Sequence, residues 1–162
     1  MSAPHEALSA DGTTESWRGL LSRAAQEVFS MMVGVELTVP AQPEGEASGE
    51  VTGMVGLAGA LCGVLTVRCT KSASVEIASR MLGLSAEEAA LQGGDAIGEV
   101  CNMVAGGFKA KINGLEDKCM LSVPTVITGD NYATHSLIVG NRIEVQLAFR
   151  GEPMWVTLET RG

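Results

Sequence analysis

Residues 95–109 read Asp95-Ala96-Ile97-Gly98-Glu99-Val100-Cys101-Asn102-Met103-Val104-Ala105-Gly106-Gly107-Phe108-Lys109. At about 100° per residue this stretch, carried on to Ile112, gathers Ile97, Val100, Cys101, Val104, Phe108 and Ile112 on one side of a helix. Such a stripe has to be buried against other elements. Asp95, Glu99, Asn102, Gly106 and Lys109 fall on the opposite side, with Glu99 and Asn102 projecting as neighbours from consecutive turns. Gly93 and Gly94 ahead of the stretch and Asn113 and Gly114 behind it predict a helix bounded at Asp95 and Ile112.

What lies on either side supplies the cover. Downstream the chain predicts strands at Met120–Thr128, interrupted at Pro124, and at Thr134–Val139, Arg142–Phe149 and Met154–Glu159, with Gly140-Asn141 and Gly151-Glu152-Pro153 as turns. Upstream, Glu50–Leu57 and Leu61–Cys69 predict a hairpin joined by Ala58, Gly59 and Ala60. Lys71–Leu82 then predicts a helix stopped by Gly83, and Ser85 caps a short turn from Ala86. Trp17, Leu20, Leu21, Ala24, Val28 and Met31 recur at helical spacing as far as Gly34, and Val35–Val39 is a short strand candidate ahead of a Pro- and Gly-containing acidic loop. Helices interleave with hairpins rather than alternating singly with strands. The expected class is therefore α+β: a single domain over residues 15–162, a largely antiparallel sheet with long helices packed on it, and a disordered tail over residues 1–14. A chain of 162 residues, 46% hydrophobic but only 4% aromatic, is long enough for one aliphatic core.

Charge and composition exclude several functions. A net charge of −8 without a Lys/Arg cluster disfavours nucleic acid and anionic membranes as partners. The first residues lack the basic and apolar regions of a secretory signal, and no stretch is apolar enough to span a bilayer, so a cytoplasmic location is expected. Cys62, Cys69, Cys101 and Cys119 are scattered without a CxxC pair or neighbouring histidines, which predicts buried reduced thiols rather than a metal or redox site. His5 and His135 stand alone, with no nucleophile–base arrangement around them. Gly53, Gly56 and Gly59 lie inside the expected hairpin and do not lead into a helix, as a phosphate-binding loop would.

The polar side of the long helix is costly. Asn is a weak helix former, and each interior Gly costs about 1 kcal/mol against Ala. Two explanations fit: a surface kept low so that a partner can approach the backbone beside Glu99 and Asn102, or a solvated face whose glycines relieve crowding against the sheet. Asp95, where the expected helix begins, suits an N-cap.

The stretch Asp95–Lys109 resembles the signature of the CheC/CheX/FliY phosphatase family. That pattern is an acidic or Ser residue, then a Glu, then an Asn, and a downstream Pro, matched here by Asp95, Glu99, Asn102 and Pro124 with Gly98 and Gly106 between. The segment Val28-Phe29-Ser30-Met31-Met32-Val33-Gly34 extends the similarity, which spans most of Trp17 to Leu158. CheC-like members carry two copies of the Glu–Asn pair and CheX-like members one. The first helix offers only Gln26 and Phe29 at the same offset, so this chain is similar to the CheX branch.

The resemblance implies a phosphatase of phosphorylated CheY-like response regulators, in which Asn102 holds the attacking water and Glu99 pairs with the receiver's lysine. It further implies Asp95, Met103, Gly106 and Lys109 at the partner surface and no cofactor bound by this chain, the Mg²⁺ belonging to the receiver. A homodimer formed by joining sheet edges is also implied. A noncatalytic module that binds a phosphorylated receiver is the alternative from another class. For Lys109 an ordinary solvated role stands beside contact with an acidic rim, and Met103 can give adaptable apolar contact.

Overall fold

The computed structural model describes residues 11–42, 50–112, 114–115, 117–129 and 140–161. The expected strand over 134–139, with His135, lies outside them, as do residues 1–10 of the expected tail. The described elements are helix α1 (Asp11–Val28), strands β1 (Val51–Gly59) and β2 (Gly63–Cys69), helices α2 (Lys71–Leu82) and α3 (Ala86–Ala110), and strands β3 (Cys119–Leu121), β4 (Thr125–Thr128), β5 (Gly140–Phe149) and β6 (Glu152–Arg161). A five-residue π-helical turn, Phe29–Val33, continues α1. It buries Phe29 and Val33 and is stopped by Gly34 at φ 78°, whose N–H donates to the Phe29 carbonyl.

The sheet runs β3-β1-β2-β6-β5, with β4 also beside β1, and every pairing among these strands is antiparallel. The edge next to β1 is a single track broken in two. β3 pairs with Leu57–Gly59 and β4 with Val51–Met54, while Ser122 bridges the gap by donating its N–H to the Gly56 carbonyl (2.9 Å) and accepting the Gly56 N–H on its hydroxyl (2.8 Å). Pro124, which has no N–H to give a ladder, sits in that gap.

The helices cover one face. Leu65, Val67 and Cys69 of β2, Ile143, Val145, Leu147 and Phe149 of β5, and Met154, Val156 and Leu158 of β6 alternate inward and share one core with α1 and α3. Trp17 of α1 meets Phe108 of α3 edge to face at 5.6 Å, and Phe29 meets Phe149 at 5.7 Å.

The expected α+β class and mostly antiparallel sheet are thus the observed ones, with corrections at the ends of elements. The helix expected to start near Glu15 begins at Asp11, so residues 11–14, expected in the tail, are helical. The strand expected at Val35–Val39 reduces to one bridge, Thr38 to Ala148. The hairpin connection is 60–62 rather than 58–60, because Ala58 and Gly59 pair with β3. Gly140 and Asn141, expected as a turn, pair with Arg161 and Thr160 inside β5. The β5–β6 turn is Arg150-Gly151, both at positive φ (49° and 85°), the geometry that matches the twist of a two-residue hairpin. Three of the four cysteines are buried as expected, but Cys62, in the β1–β2 connection, is exposed.

Candidate functional site

The helix that carries the Glu–Asn pair is longer than its punctuation suggests. It starts at Ala86 under a capping box: the Glu88 N–H donates to the Ser85 hydroxyl, and the Ser85 N–H donates to the Glu88 carboxylate, each at 3.3 Å. It then runs unbroken through Gly93 and Gly94 to Ala110. Those glycines are contact points rather than stops. A Cβ on Gly93 would stand 2.8 Å from the Ser74 hydroxyl of α2, one on Gly98 would press on Val126 of β4 at 3.1 Å, and one on Gly94 would meet Val126 at an ordinary 3.5 Å. On the sheet side Gly53 of β1 admits Ile97 and Cys101 just as closely. The helix is seated by missing side chains on three neighbours.

This seating revises Asp95. It stands inside the helix, so its backbone N–H and the next ones already have helical partners, and it cannot be the N-cap. Its side chain is exposed on the outward face, with no hydrogen bond or ion pair among the described residues.

The predicted faces are the observed ones. Ile97, Val100, Cys101, Val104 and Phe108 are fully buried, and Ile112, just past the helix end, packs partly buried against the core. Opposite them Glu99 is exposed and Asn102 half-buried, and neither makes a hydrogen bond or ion pair among the described residues. The outward face thus displays an amide and a carboxylate one turn apart, about 4.5 Å along the axis. Gly106 is half-buried and a Cβ there would meet nothing within 4 Å, whereas Gly107 faces the Ala24 methyl at 3.7 Å. Neither glycine relieves crowding against the sheet: Gly106 borders open space, and Gly107 lies at ordinary contact distance from α1.

Lys109 is half-buried and not simply solvated. Its ammonium donates to the Cys119 carbonyl at 2.7 Å, tying the end of α3 to β3. Met103 is half-buried against the core. Pro124 stands beside Gly98, 3.5 Å from where a Cβ would be, so the downstream proline packs on the same turn of helix that displays Glu99. At the corresponding place on α1, Phe29 is buried and Gln26 donates to the Leu37 carbonyl at 3.3 Å, so the first helix presents no second pair.

Sequence reasoning missed the first two turns of α3 and, with them, the exposed Leu91. The signal was present in Ser85-x-x-Glu88 followed by Ala89, Gly93 and Ile97 at helical spacing, all of which are buried. Among the described residues no three His, Cys, Asp or Glu side chains come together as a ligand set for a metal ion, and no helix is long and apolar enough to cross a membrane.

A single Glu-x-x-Asn pair on a long helix, laid over an antiparallel sheet whose edge strand is broken at a proline, defines a CheC-like domain. Solved structures share that fold: a CheC-like superfamily protein from Shewanella sp. PV-4 (23% identity, 90% of this chain and 97% of that one, TM-score 0.76) and CheX from Desulfovibrio desulfuricans (24%, 90% and 99%, TM-score 0.75). A third is the CheX–CheY–BeF3–Mg²⁺ complex from Borrelia burgdorferi (22%, 90% and 98%, TM-score 0.71). The family model for chemotaxis phosphatase CheX matches residues 51–146, and the chain belongs to that family. No curated protein matches the sequence.

Proposed function

We propose that this chain is a phosphatase of CheY-like response regulators, with Asn102 positioning the attacking water and Glu99 docking to the receiver's lysine. The observation that carries the reading is the Glu99–Asn102 pair, without a hydrogen-bond or ion-pair partner among the described residues, on the outward face of a closely packed helix in a chain of the CheX family. A relative captured as a CheX–CheY complex with BeF3 and Mg²⁺ supports the choice of partner.

An aspartyl phosphate is a reactive acyl phosphate, and the receiver's own Mg²⁺ and lysine already stabilise the transferring charge, so the missing element is a water held in line. An amide can accept from and donate to that water while remaining neutral. The water oxygen bonds to phosphorus, the bond between phosphorus and the aspartyl oxygen breaks, and the products are inorganic phosphate, which takes up the water's protons according to pH, and the free carboxylate. Glu99 contributes charge pairing and register. No metal ion is needed on this chain. A homodimer joined through sheet edges belongs to the same reading; light scattering of the pure protein should return twice 16.8 kDa, and a monomer mass would remove it.

The test mixes the pure protein with receiver domains phosphorylated by acetyl phosphate and Mg²⁺ and follows loss of phosphate. Wild type should accelerate hydrolysis. Asn102→Ala should lower kcat by about 100-fold, the scale of lost positioning, and Glu99→Ala should act mainly through KM. Binding without acceleration would instead make the chain a receiver-binding module, and full activity in Asn102→Ala would remove the assigned mechanism.

A further inference from the structure

We infer that Leu91 is an apolar anchor for the same receiver domain, extending the docking surface about three turns toward the start of α3; this rests on the phosphatase reading above. Leu91 is 85% exposed, the most exposed of the large hydrophobic residues described. A lone exposed leucine needs no explanation of its own, but two observations set this one apart.

The first is alignment. Leu91 and Asn102 are eleven residues apart on one unbroken helix, which places them within about 20° of each other around the axis and about 16 Å apart along it. A specific interface covers about 800 Å² on each partner, so a protein seated on Asn102 reaches at least one end of this stripe. Toward the C-terminus the helix is tied down, with the Lys109 ammonium already bonded to the Cys119 carbonyl. Toward the N-terminus the stripe offers Asp95, with no partner among the described residues, and then Leu91.

The second is the surface beside Leu91. A hollow of about 430 Å³ opens next to it, walled by Lys71 and Ser74 of α2, Gly94 and Asp95 of α3, and Thr128 of β4. The glycines that seat α3 leave its first turns low against α2 and β4. A side chain from a partner can therefore enter next to Leu91 while the leucine is covered from above. Apolar contact at Leu91 flanked by charged groups, Asp95 and, across the hollow, Glu50 and Lys71, is the composition of an interface anchor with a polar rim.

Because Leu91 touches neither the phosphoryl group nor the water, its removal should change affinity and leave chemistry alone. With a receiver that wild type dephosphorylates, Leu91→Ala should raise KM by about tenfold, the scale of losing most of a buried leucine side chain, with kcat within twofold of wild type. Titration against the same receiver activated with BeF3⁻ and Mg²⁺ should show an equal rise in Kd. Leu91→Met should restore most of both, and the thermal midpoint should not fall in either variant, since the side chain is outside the core. Unchanged KM and Kd in Leu91→Ala would overturn the anchor while leaving Asn102 and Glu99 in place. A wild-type protein that neither binds nor dephosphorylates any receiver would overturn both readings together.

Discussion

Gly106 and Gly107 are adjacent on α3, yet different neighbours account for them. A methyl group at Gly107 would rest at ordinary contact distance on Ala24, and one at Gly106 would project into open space beside Asn102. Each replacement by alanine removes the backbone freedom that glycine carries in a helix, which is worth about 1 kcal/mol and, for a domain of this size, about 2–4 °C in the melting midpoint. Both Gly106→Ala and Gly107→Ala should therefore raise the midpoint in a thermal scan. They should part company in the phosphatase assay, where only Gly106→Ala interposes a methyl between the helix backbone and a docked receiver and raises KM. Equal kinetics in the two variants would return Gly106 to the role of an ordinary solvated glycine. The outward direction of Asn102 and Glu99 was legible from spacing alone, because the period of an α-helix and the aliphatic stripe leave them one place to point, while their roles rest on the family resemblance. Lys109 was not, since its partner is a backbone carbonyl on a strand that follows later in the chain.

At the scale of elements, what could be read from sequence was whatever local periodicity controls. Lys71–Leu82 was recovered to the residue, with Thr70 capping and Gly83 in the left-handed conformation. The paired runs of β1 and β2 were also recovered. The errors came where a glycine serves a tertiary contact rather than a turn. Gly93 and Gly94 look like a helix boundary in isolation, and the close approach of Ser74 to Gly93 shows a tertiary reason for a glycine to lie mid-helix. Gly140 and Asn141 look like a turn until β6 pairs with them. In Gly93→Ala the new methyl would stand 2.8 Å from a hydroxyl that is itself held by donating to the Lys71 carbonyl at 2.7 Å. The overpacking cost, about 1–3 kcal/mol, should then exceed the gain in helix propensity, and the denaturant midpoint should fall. Ser74→Ala removes the obstructing oxygen, so the double variant should be more stable than Gly93→Ala by more than Ser74→Ala alone predicts. Strict additivity would mean that the two helices are not in contact at that point.

The molecule as a whole lays its helices on one face of the sheet, and buried thiols lie in the core between them. Burial pushes Cys69 up to about 12, helped by the carboxylates of Glu152 and Glu50. Burial likewise pushes Cys101 up to about 12 against a small opposing hydrogen bond. An unfolded chain would release these protons from about pH 9, the value of an unperturbed thiol here. Between pH 9 and 12 the unfolded state therefore binds fewer protons than the folded one, and stability must fall as pH rises. Below pH 9 both states hold the protons and these groups contribute no slope. The urea midpoint should accordingly be level from these thiols between pH 7 and 8.5 and decline steadily from pH 9 to 11. The informative quantity is the difference from a Cys69→Val, Cys101→Ala variant, which keeps both positions apolar. That variant should lose stability less steeply above pH 9 than wild type. Parallel curves would show that the buried thiols are not what makes this core sensitive to alkali. Maleimide labelling at pH 7.5 gives the structural counterpart: Cys62, exposed in the β1–β2 connection, should react in the native protein, and Cys69 and Cys101 only after unfolding.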